Sequence, residues 1–120
     1  MTVQDIVSCL GAEPLVINDE AIYMRDYRYC FATDLMSDAL AMIQTSPEST
    51  VLITGLANIQ TLNTAEMLDI NMIVLVRGKT LNDMILDEAR DRNINIVATK
   101  HTMYSACGRL YANGLRGINE

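Results

Sequence analysis

The sequence predicts an α/β fold in which a mainly parallel sheet is flanked by helices, because strand and helix patterns alternate between residues 50 and 100. The apolar segments of strand length are residues 51–53, 72–76 and 94–98. The segments with apolar residues three and four apart are 58–69 and 80–92. Parallel strands joined by such helices place their following loops at one sheet edge, so we expect loops 54–58, 77–80 and 99–102 to lie together.

The N-terminal part of the chain is less regular. Thr2 and Asp5 have the spacing of a capping box, which predicts a helix over residues 3–10 that ends at Gly11. The segment 15–34 alternates weakly between apolar and polar residues. This segment is expected to form one or two strands, either antiparallel or at an edge of the sheet.

Three helix boundaries follow from capping residues. Asp34 is expected to begin a helix that ends near Pro47, and Thr80 is expected to cap the helix 80–92. A last helix is predicted over 102–113, closed by Gly114. The residues expected on the inner faces of the last four helices are Leu35, Ala39, Leu40, Met42, Ile43, Ile59, Leu62, Ala65, Leu68, Leu81, Met84, Ile85, Ala89, Met103, Ala106, Cys107, Leu110 and Tyr111.

Length, charge and cysteine content limit the class of protein. A chain of 120 residues has the usual size of a single domain, which we expect to span 1–120. The net charge of −6 disfavours nucleic acid, whose binding requires many basic groups. Cys9, Cys30 and Cys107 form no Cys-x-x-Cys pair, which favours reduced thiols and the cytoplasm. No secretory signal and no apolar run of about 18 residues is visible, so we expect a soluble protein without membrane association.

The loop after the strand 72–76 resembles the end of a phosphate-binding P-loop. It reads Arg77-Gly78-Lys79-Thr80 and precedes a predicted helix. The first glycine of that motif would be residue 73, which is Ile73 inside the strand, so the loop that wraps phosphates is not predicted. Two readings remain: one anionic group held beside the helix N-terminus, or Thr80 acting only as a helix cap with the loop charges solvated.

The three loops at the predicted sheet edge contain the candidate ligand-binding residues. They include both lysines of the chain and its one histidine. His101 has no acid–base partner nearby in sequence, so a turn-filling role is favoured over general base catalysis. No catalytic dyad, metal-ligand cluster or cofactor motif occurs, and none is predicted. The candidate ligand-binding residues are Thr54, Gly55, Asn58, Arg77, Gly78, Lys79, Thr80, Thr99, Lys100, His101 and Thr102.

Five segments of the chain share a pattern with a known family: Val51–Gly55, Asn58–Gln60, Val76–Lys79, Ile96–Thr99 and Met103–Tyr111. Together they resemble the DRTGG-domain family, over roughly residues 34–117. Two positions differ from the family pattern: Leu56-Ala57 stands where Asp-Arg is usual, and Val76-Arg77-Gly78 stands where Thr-Gly-Gly is usual. The chain is similar in these respects to small stand-alone members.

The resemblance implies a regulatory or dimerising role. DRTGG domains occur fused to CBS-pair pyrophosphatases and to phosphotransacetylases, and they are similar to the N-terminal domain of HPr serine kinase, whose kinase chemistry lies in another domain. We therefore expect a non-catalytic ligand-sensing module, a homodimer, that binds an anionic metabolite or nucleotide. Two alternatives stay open: an adaptor or dimerisation module that binds a partner protein and no small molecule, and a small transferase or kinase-like enzyme.

Overall fold

The computed structural model describes residues 1–120 and contains one six-stranded sheet between two layers of helices. The strands are β1 (Glu13–Val16), β2 (Tyr29–Ala32), β3 (Thr50–Thr54), β4 (Met72–Leu75), β5 (Asn95–Ala98) and β6 (Arg116–Gly117). The α-helices are α1 (Val3–Leu10), α2 (Met36–Met42), α3 (Ile59–Met67), α4 (Asp83–Asp91) and α5 (Met103–Ala112). Short 3₁₀ helices cover Glu20–Met24 and Pro47–Ser49. No helix has the length and apolar character needed to cross a membrane.

The sheet confirms the predicted α/β class. Its strand order is β1-β5-β4-β3-β2-β6, and every pairing among β2 to β6 is parallel. Only β1 is antiparallel, and it pairs with β5 at one edge. The segments 72–76 and 94–98, which carry the site loops, therefore run side by side in the same direction, as the alternation of strands and helices predicted.

Two apolar cores hold the three layers together. Alternate side chains of a strand point to opposite faces, so neighbouring residues of β4 enter different cores. Ile73 packs with residues of α2, α3 and α4 on one face, whereas Val74 packs with residues of α1 and α5 on the other. Both side chains are fully buried, as expected for an inner strand that lies between β3 and β5 and is covered by helices on both faces.

The expectation for the segment 15–34 is correct for one strand and wrong for the other. β1 lies at the edge and is antiparallel, as predicted. β2 is parallel to β3 and also pairs with the two-residue β6, so it is neither antiparallel nor at the edge. All four β2 residues are half-buried, which removes the alternation that would have indicated its orientation.

The first helix forms as predicted, whereas two predicted caps do not. Thr2 and Asp5 form the capping box of α1, and Gly11 ends this helix at φ 58°. α2 begins at Met36 without a side-chain cap, because the Asp34 carboxylate binds elsewhere, and it ends at Met42 rather than near Pro47.

The helix after the Arg-Gly-Lys loop starts later than predicted. α4 is capped by Asn82, whose Oδ1 accepts a hydrogen bond of 3.0 Å from the Ile85 amide. Thr80 therefore lies in the loop and caps nothing. Asparagine is at least as good a cap as threonine, so the capping preference did not exclude the later start.

Several side chains expected on inner faces are exposed. Helices that cover a sheet bury a narrow stripe, and apolar residues on its flanks stay in contact with solvent. Met84 is 66% exposed, and Cys107 is only half-buried. The others that are exposed against expectation are Leu35, Leu40, Met42, Ile59 and Tyr111.

Candidate functional site

The three loops that follow β3, β4 and β5 lie together at the carboxyl edge of the sheet, as predicted. The Arg77 amide donates a hydrogen bond of 2.8 Å to the His101 carbonyl, and the Gly78 amide donates one of 3.0 Å to the Thr99 carbonyl. The Arg77 guanidinium reaches the Gly55 carbonyl at 3.4 Å. The loops are therefore tied to each other by backbone and side-chain bonds.

The topology places a crevice between the ends of β4 and β5. The helix that follows β4 packs on one face of the sheet, and the helix that follows β5 packs on the other. Two loops that leave adjacent parallel strands toward opposite faces open a gap between them. Ligands of open α/β folds bind outside the strand ends at such a switch point.

A cleft of about 470 Å³ lies at this switch point. Its walls come from the loops after β4 and β5 and from the segment that joins α1 to β1. A cleft of this size falls in the range of small-molecule sites, about 300 to 1,000 Å³. The lining residues are Leu10, Gly11, Glu13, Leu15, Gly78, Lys79, Thr80, Ala98, Thr99, Lys100 and His101.

The two lysines are the unpaired cations of the cleft. Lys79 and Lys100 are exposed and form no ion pair with a carboxylate. Glu13 is the one acidic residue of the lining, and His101 is half-buried beside them. The cleft thus combines two ammonium groups with one carboxylate in a chain whose overall charge is −6.

Arg77 is not part of this cation group, contrary to the expectation that it would face a ligand with the lysines. Its Nη1 donates to Asp34 Oδ2 at 2.8 Å, and the same carboxylate accepts from the Gly55 amide. The hydrogen bond from Arg77 is the main reason that the pKa of Asp34 is lowered. The arginine is therefore neutralised within the protein.

The candidate residues at the end of β3 and in the loop after it have roles outside the cleft. The Arg77 guanidinium lies directly over Gly55, where a Cβ atom would come within 2.4 Å of it. Thr54 is buried, and its hydroxyl accepts from the Leu56 amide and contacts Asp34 at 3.4 Å. Asn58 caps α3 by accepting from the Gln60 amide. None of these three candidate residues lines the cleft.

The Arg-Gly-Lys turn offers no nest of free amides to an anion. Arg77 and Gly78 both have left-handed backbones, at φ 63° and 67°. Their amides are used by the carbonyls of the neighbouring loop, and α4 starts only at Asp83, a carboxylate. An anion site in this loop therefore stays a prediction, and the lysine side chains, rather than the backbone amides of Arg77 and Gly78, are the groups on which it rests.

The two threonines of the last loop differ in role. Thr99 is buried, and its hydroxyl donates to the Leu10 carbonyl at 2.9 Å, which joins the end of α1 to the end of β5. Thr102 begins α5 without a side-chain hydrogen bond and does not line the cleft. Thr99 thus holds two parts of the cleft wall together through a buried hydrogen bond.

Two contributions to this edge were missed by the sequence analysis. The wall formed by Leu10, Gly11, Glu13 and Leu15 comes from the N-terminal segment. An antiparallel edge strand beside β5 would have placed the start of β1 there. Asp34, assigned as a helix cap, proved to be the partner of Arg77, for which spacing along the chain gives no signal.

Asp34 predicts how stability depends on pH. Because its folded pKa lies below the ordinary 3.8, the stabilisation is present above that value and is lost as the pH falls through the folded pKa. The pair is partly exposed, at 40% and 46%, so screening keeps the effect below about 1 kcal/mol. Urea unfolding should show Asp34→Asn less stable than wild type near neutral pH, with the difference shrinking toward about pH 3.

Asp38→Asn is the matched control for this measurement, because the exposed Asp38 forms no ion pair. Its stability relative to wild type should change less with pH. A difference between Asp34→Asn and wild type that is constant from neutral pH to about pH 3 would contradict the assigned role of Asp34.

A comparison with known proteins finds a solved structure that is similar to this chain. No protein-family model matches the chain, and no curated protein matches it either. A solved structure of the CBS and DRTGG domains of the regulatory region of Clostridium perfringens pyrophosphatase, complexed with the activator diadenosine tetraphosphate, is similar with a TM-score of 0.70 at 20% identity. The match covers 95% of this chain and 47% of that one, so the chain spans about half its length.

The similarity extends over nearly the whole sheet and both helical layers, since only 5% of the chain lies outside it. It agrees with the resemblance seen in the sequence around the loops after β3, β4 and β5. The chain therefore has the fold of a DRTGG-like domain.

Proposed function

We propose that residues 1–120 form a single non-catalytic regulatory domain that senses an anionic small molecule in the cleft between the ends of β4 and β5. The observation that carries this proposal is the convergence of two unpaired lysines on a cleft at the topological switch point. An ammonium group without an internal partner is available to a ligand phosphate or carboxylate. We further propose a cytoplasmic location, which suits the three free cysteines.

A nucleotide or another phosphorylated metabolite is the proposed ligand class. The cleft volume of about 470 Å³ suits a molecule of that size. The similar pyrophosphatase region was solved with diadenosine tetraphosphate as its activator, which supports a polyphosphate ligand for this fold. Lys79 and Lys100 would bind phosphate oxygens, and Gly78 would allow close approach of the ligand to the backbone.

The side chains around the cleft support binding rather than chemistry. His101 forms a hydrogen bond to Thr99 only through its backbone amide, and no carboxylate orients its ring. A general base needs such a partner or a proton within hydrogen-bond reach. No group of three or more His, Cys, Asp or Glu residues is arranged to hold a metal ion.

The proposed site is tested by removing its two lysines. Lys79→Met with Lys100→Met should abolish most binding of diadenosine tetraphosphate or ATP, with about 1 to 3 kcal/mol lost for each charge-assisted hydrogen bond. Both side chains are exposed, so the fold should remain intact. Isothermal titration calorimetry measures the affinity, and circular dichroism verifies the fold.

Arg90→Met with Arg109→Met is the matched control, because it removes two positive charges outside the cleft. This control should bind with nearly the affinity of wild type, and added salt should weaken both. Equal affinities of wild type and the lysine variant would refute the cleft as the site. If none of the nucleotides, phosphorylated metabolites or dicarboxylates tested raises the melting temperature of wild type, the adaptor hypothesis is favoured.

We also propose a homodimer that associates through α5. Tyr104 is 89% exposed and Tyr111 is half exposed on this helix, with the exposed Gly108 between them allowing close approach. Aromatic residues are enriched at interfaces. Sedimentation should show a dimer for wild type and a monomer for Tyr104→Ser, whereas Tyr29→Ser, a change on β2, should stay dimeric. A wild-type monomer at tens of micromolar would refute the dimer.

A further inference from the structure

The net negative charge of the chain is carried by one helical layer. This acidic layer consists of α2, α3 and α4 with their flanking loops, residues 35–49, 56–71 and 81–93. It contains eight carboxylates and two arginines, a net charge of −6, whereas the rest of the chain has seven of each sign. The whole net charge of the protein therefore lies on one face.

Two of these carboxylates lie at the end of α3, where a negative charge does not stabilise a helix. α2, α3 and α4 all end at the amino edge of the sheet, and a helix end carries partial negative charge. Neither α2 nor α3 has a basic residue in its last turn. Glu66 and Asp69 instead sit at the end of α3, where Glu66 is 3.9 Å from Arg92 and Asp69 forms no ion pair. This arrangement is unfavourable for the isolated domain.

A groove of mixed character lies beside these carboxylates, between the ends of α2 and α3. It has a volume of about 260 Å³ and is lined by the apolar Ile43, Pro47, Met67 and Leu68 together with the polar Gln44, Thr45 and Asp69. The Met67 side chain is 72% exposed at its rim. Methionine side chains adapt to varied apolar partners and are frequent in binding surfaces.

We propose that this groove, at the edge of the sheet opposite the lysine cleft, docks a cationic amphipathic segment of a partner protein. An apolar side chain of that segment would lie against Met67 and Pro47, and its Lys or Arg residues would pair with Glu66 and Asp69. The surface has both features that such a segment requires, apolar side chains that line a groove and an excess of negative charge around it. The proposal does not depend on the ligand proposed for the cleft.

A second copy of this chain is a poor occupant of the groove. A symmetric dimer through the acidic layer would place a net charge of −6 against an equal one, and like charges across an interface disfavour association. Anionic membranes and nucleic acids are disfavoured for the same reason. A cationic partner instead brings opposite charge to the end of α3, where Glu66 and Asp69 lie.

The test uses a synthetic amphipathic peptide of about 18 residues, with leucine on one helical face and lysine on the other. Fluorescence anisotropy should detect binding to the full chain, weakened at least about tenfold in Glu66→Gln with Asp69→Asn. Asparagine suits the left-handed backbone of residue 69, at φ 59°, so the fold is preserved. Asp19→Asn with Glu20→Gln, the same charge change outside the acidic layer, should alter affinity less than about twofold.

A second pair of variants tests the apolar part. Met67→Ser should weaken peptide binding by about tenfold, whereas Met84→Ser, an exposed methionine of α4 outside the groove, should not. No binding by wild type, equal loss in both charge variants, or equal loss in both methionine variants would overturn the proposal. A dimer of wild type that Met67→Ser converts to a monomer would overturn it as well, because a second copy would then occupy the groove.

Discussion

Ile73→Ala should lower the free energy of unfolding by about 2 to 5 kcal/mol, the largest effect expected for a single substitution described here. Ile73 is fully buried in β4, which lies between β3 and β5, and its side chain packs under α2, α3 and α4. Removal of its methyl and methylene groups leaves a cavity that these rigid elements can fill only in part. Urea unfolding followed by circular dichroism measures the change.

Met84→Ala is the control for this result. The periodicity of α4 placed Met84 on the inner face, but its side chain is 66% exposed. Its replacement should change the free energy of unfolding by less than about 0.5 kcal/mol. A loss of stability comparable to that of Ile73→Ala would show that Met84 is buried in solution and that α4 is rotated relative to the structure described here.

Thr99→Val should destabilise the protein by about 1 to 3 kcal/mol although it barely changes the size of the side chain. The buried hydroxyl of Thr99 donates to the Leu10 carbonyl and accepts from the His101 amide. Valine leaves the buried Leu10 carbonyl without this partner. The loss should fall on the junction between α1 and β5, which forms one wall of the lysine cleft.

Thr102→Val separates this effect from a general intolerance of valine in the loop. Thr102 is exposed, and its side chain makes no capping bond to α5. Its replacement should leave the free energy of unfolding within about 0.5 kcal/mol of wild type. Amide hydrogen exchange should locate the Thr99→Val effect, with faster exchange at the C-terminal end of α1. Equal stability of the two valine variants would contradict the role assigned to Thr99.

The central part of the fold was predictable because its signals are local. β4 and β5 are short apolar segments followed by polar loops, and such segments report burial on both faces directly. The inner position of β2 was not predictable, since it depends on pairing with the two-residue strand β6, 87 positions further along the chain (Tyr29 with Arg116). Local periodicity carries no information on a partner at that separation.

The candidate site was likewise predictable only where its signals are local in the sequence. The three loops were placed at one sheet edge from the alternation of strands and helices, and the structure brings them together. Which cations remain available was not predictable, because it depends on Asp34, 43 residues before Arg77 in the chain. The cleft wall from Leu10 to Leu15 likewise depends on the antiparallel pairing of β1, for which the weak apolar pattern allowed two arrangements.

Arg77 has a left-handed backbone, and its side chain fills part of the carboxyl edge of the sheet. The DRTGG family, which the sequence resembles, usually has glycine at this position, and glycine adopts a positive φ without the steric cost that arginine incurs. The arginine instead extends over Gly55 to Asp34, so the space above β3 is filled by the protein's own guanidinium. A glycine at that position would leave the space above β3 open to a longer ligand. The Arg77 side chain thus fills the space above β3, and the cleft lined by Lys79 and Lys100 is an open part of this sheet edge.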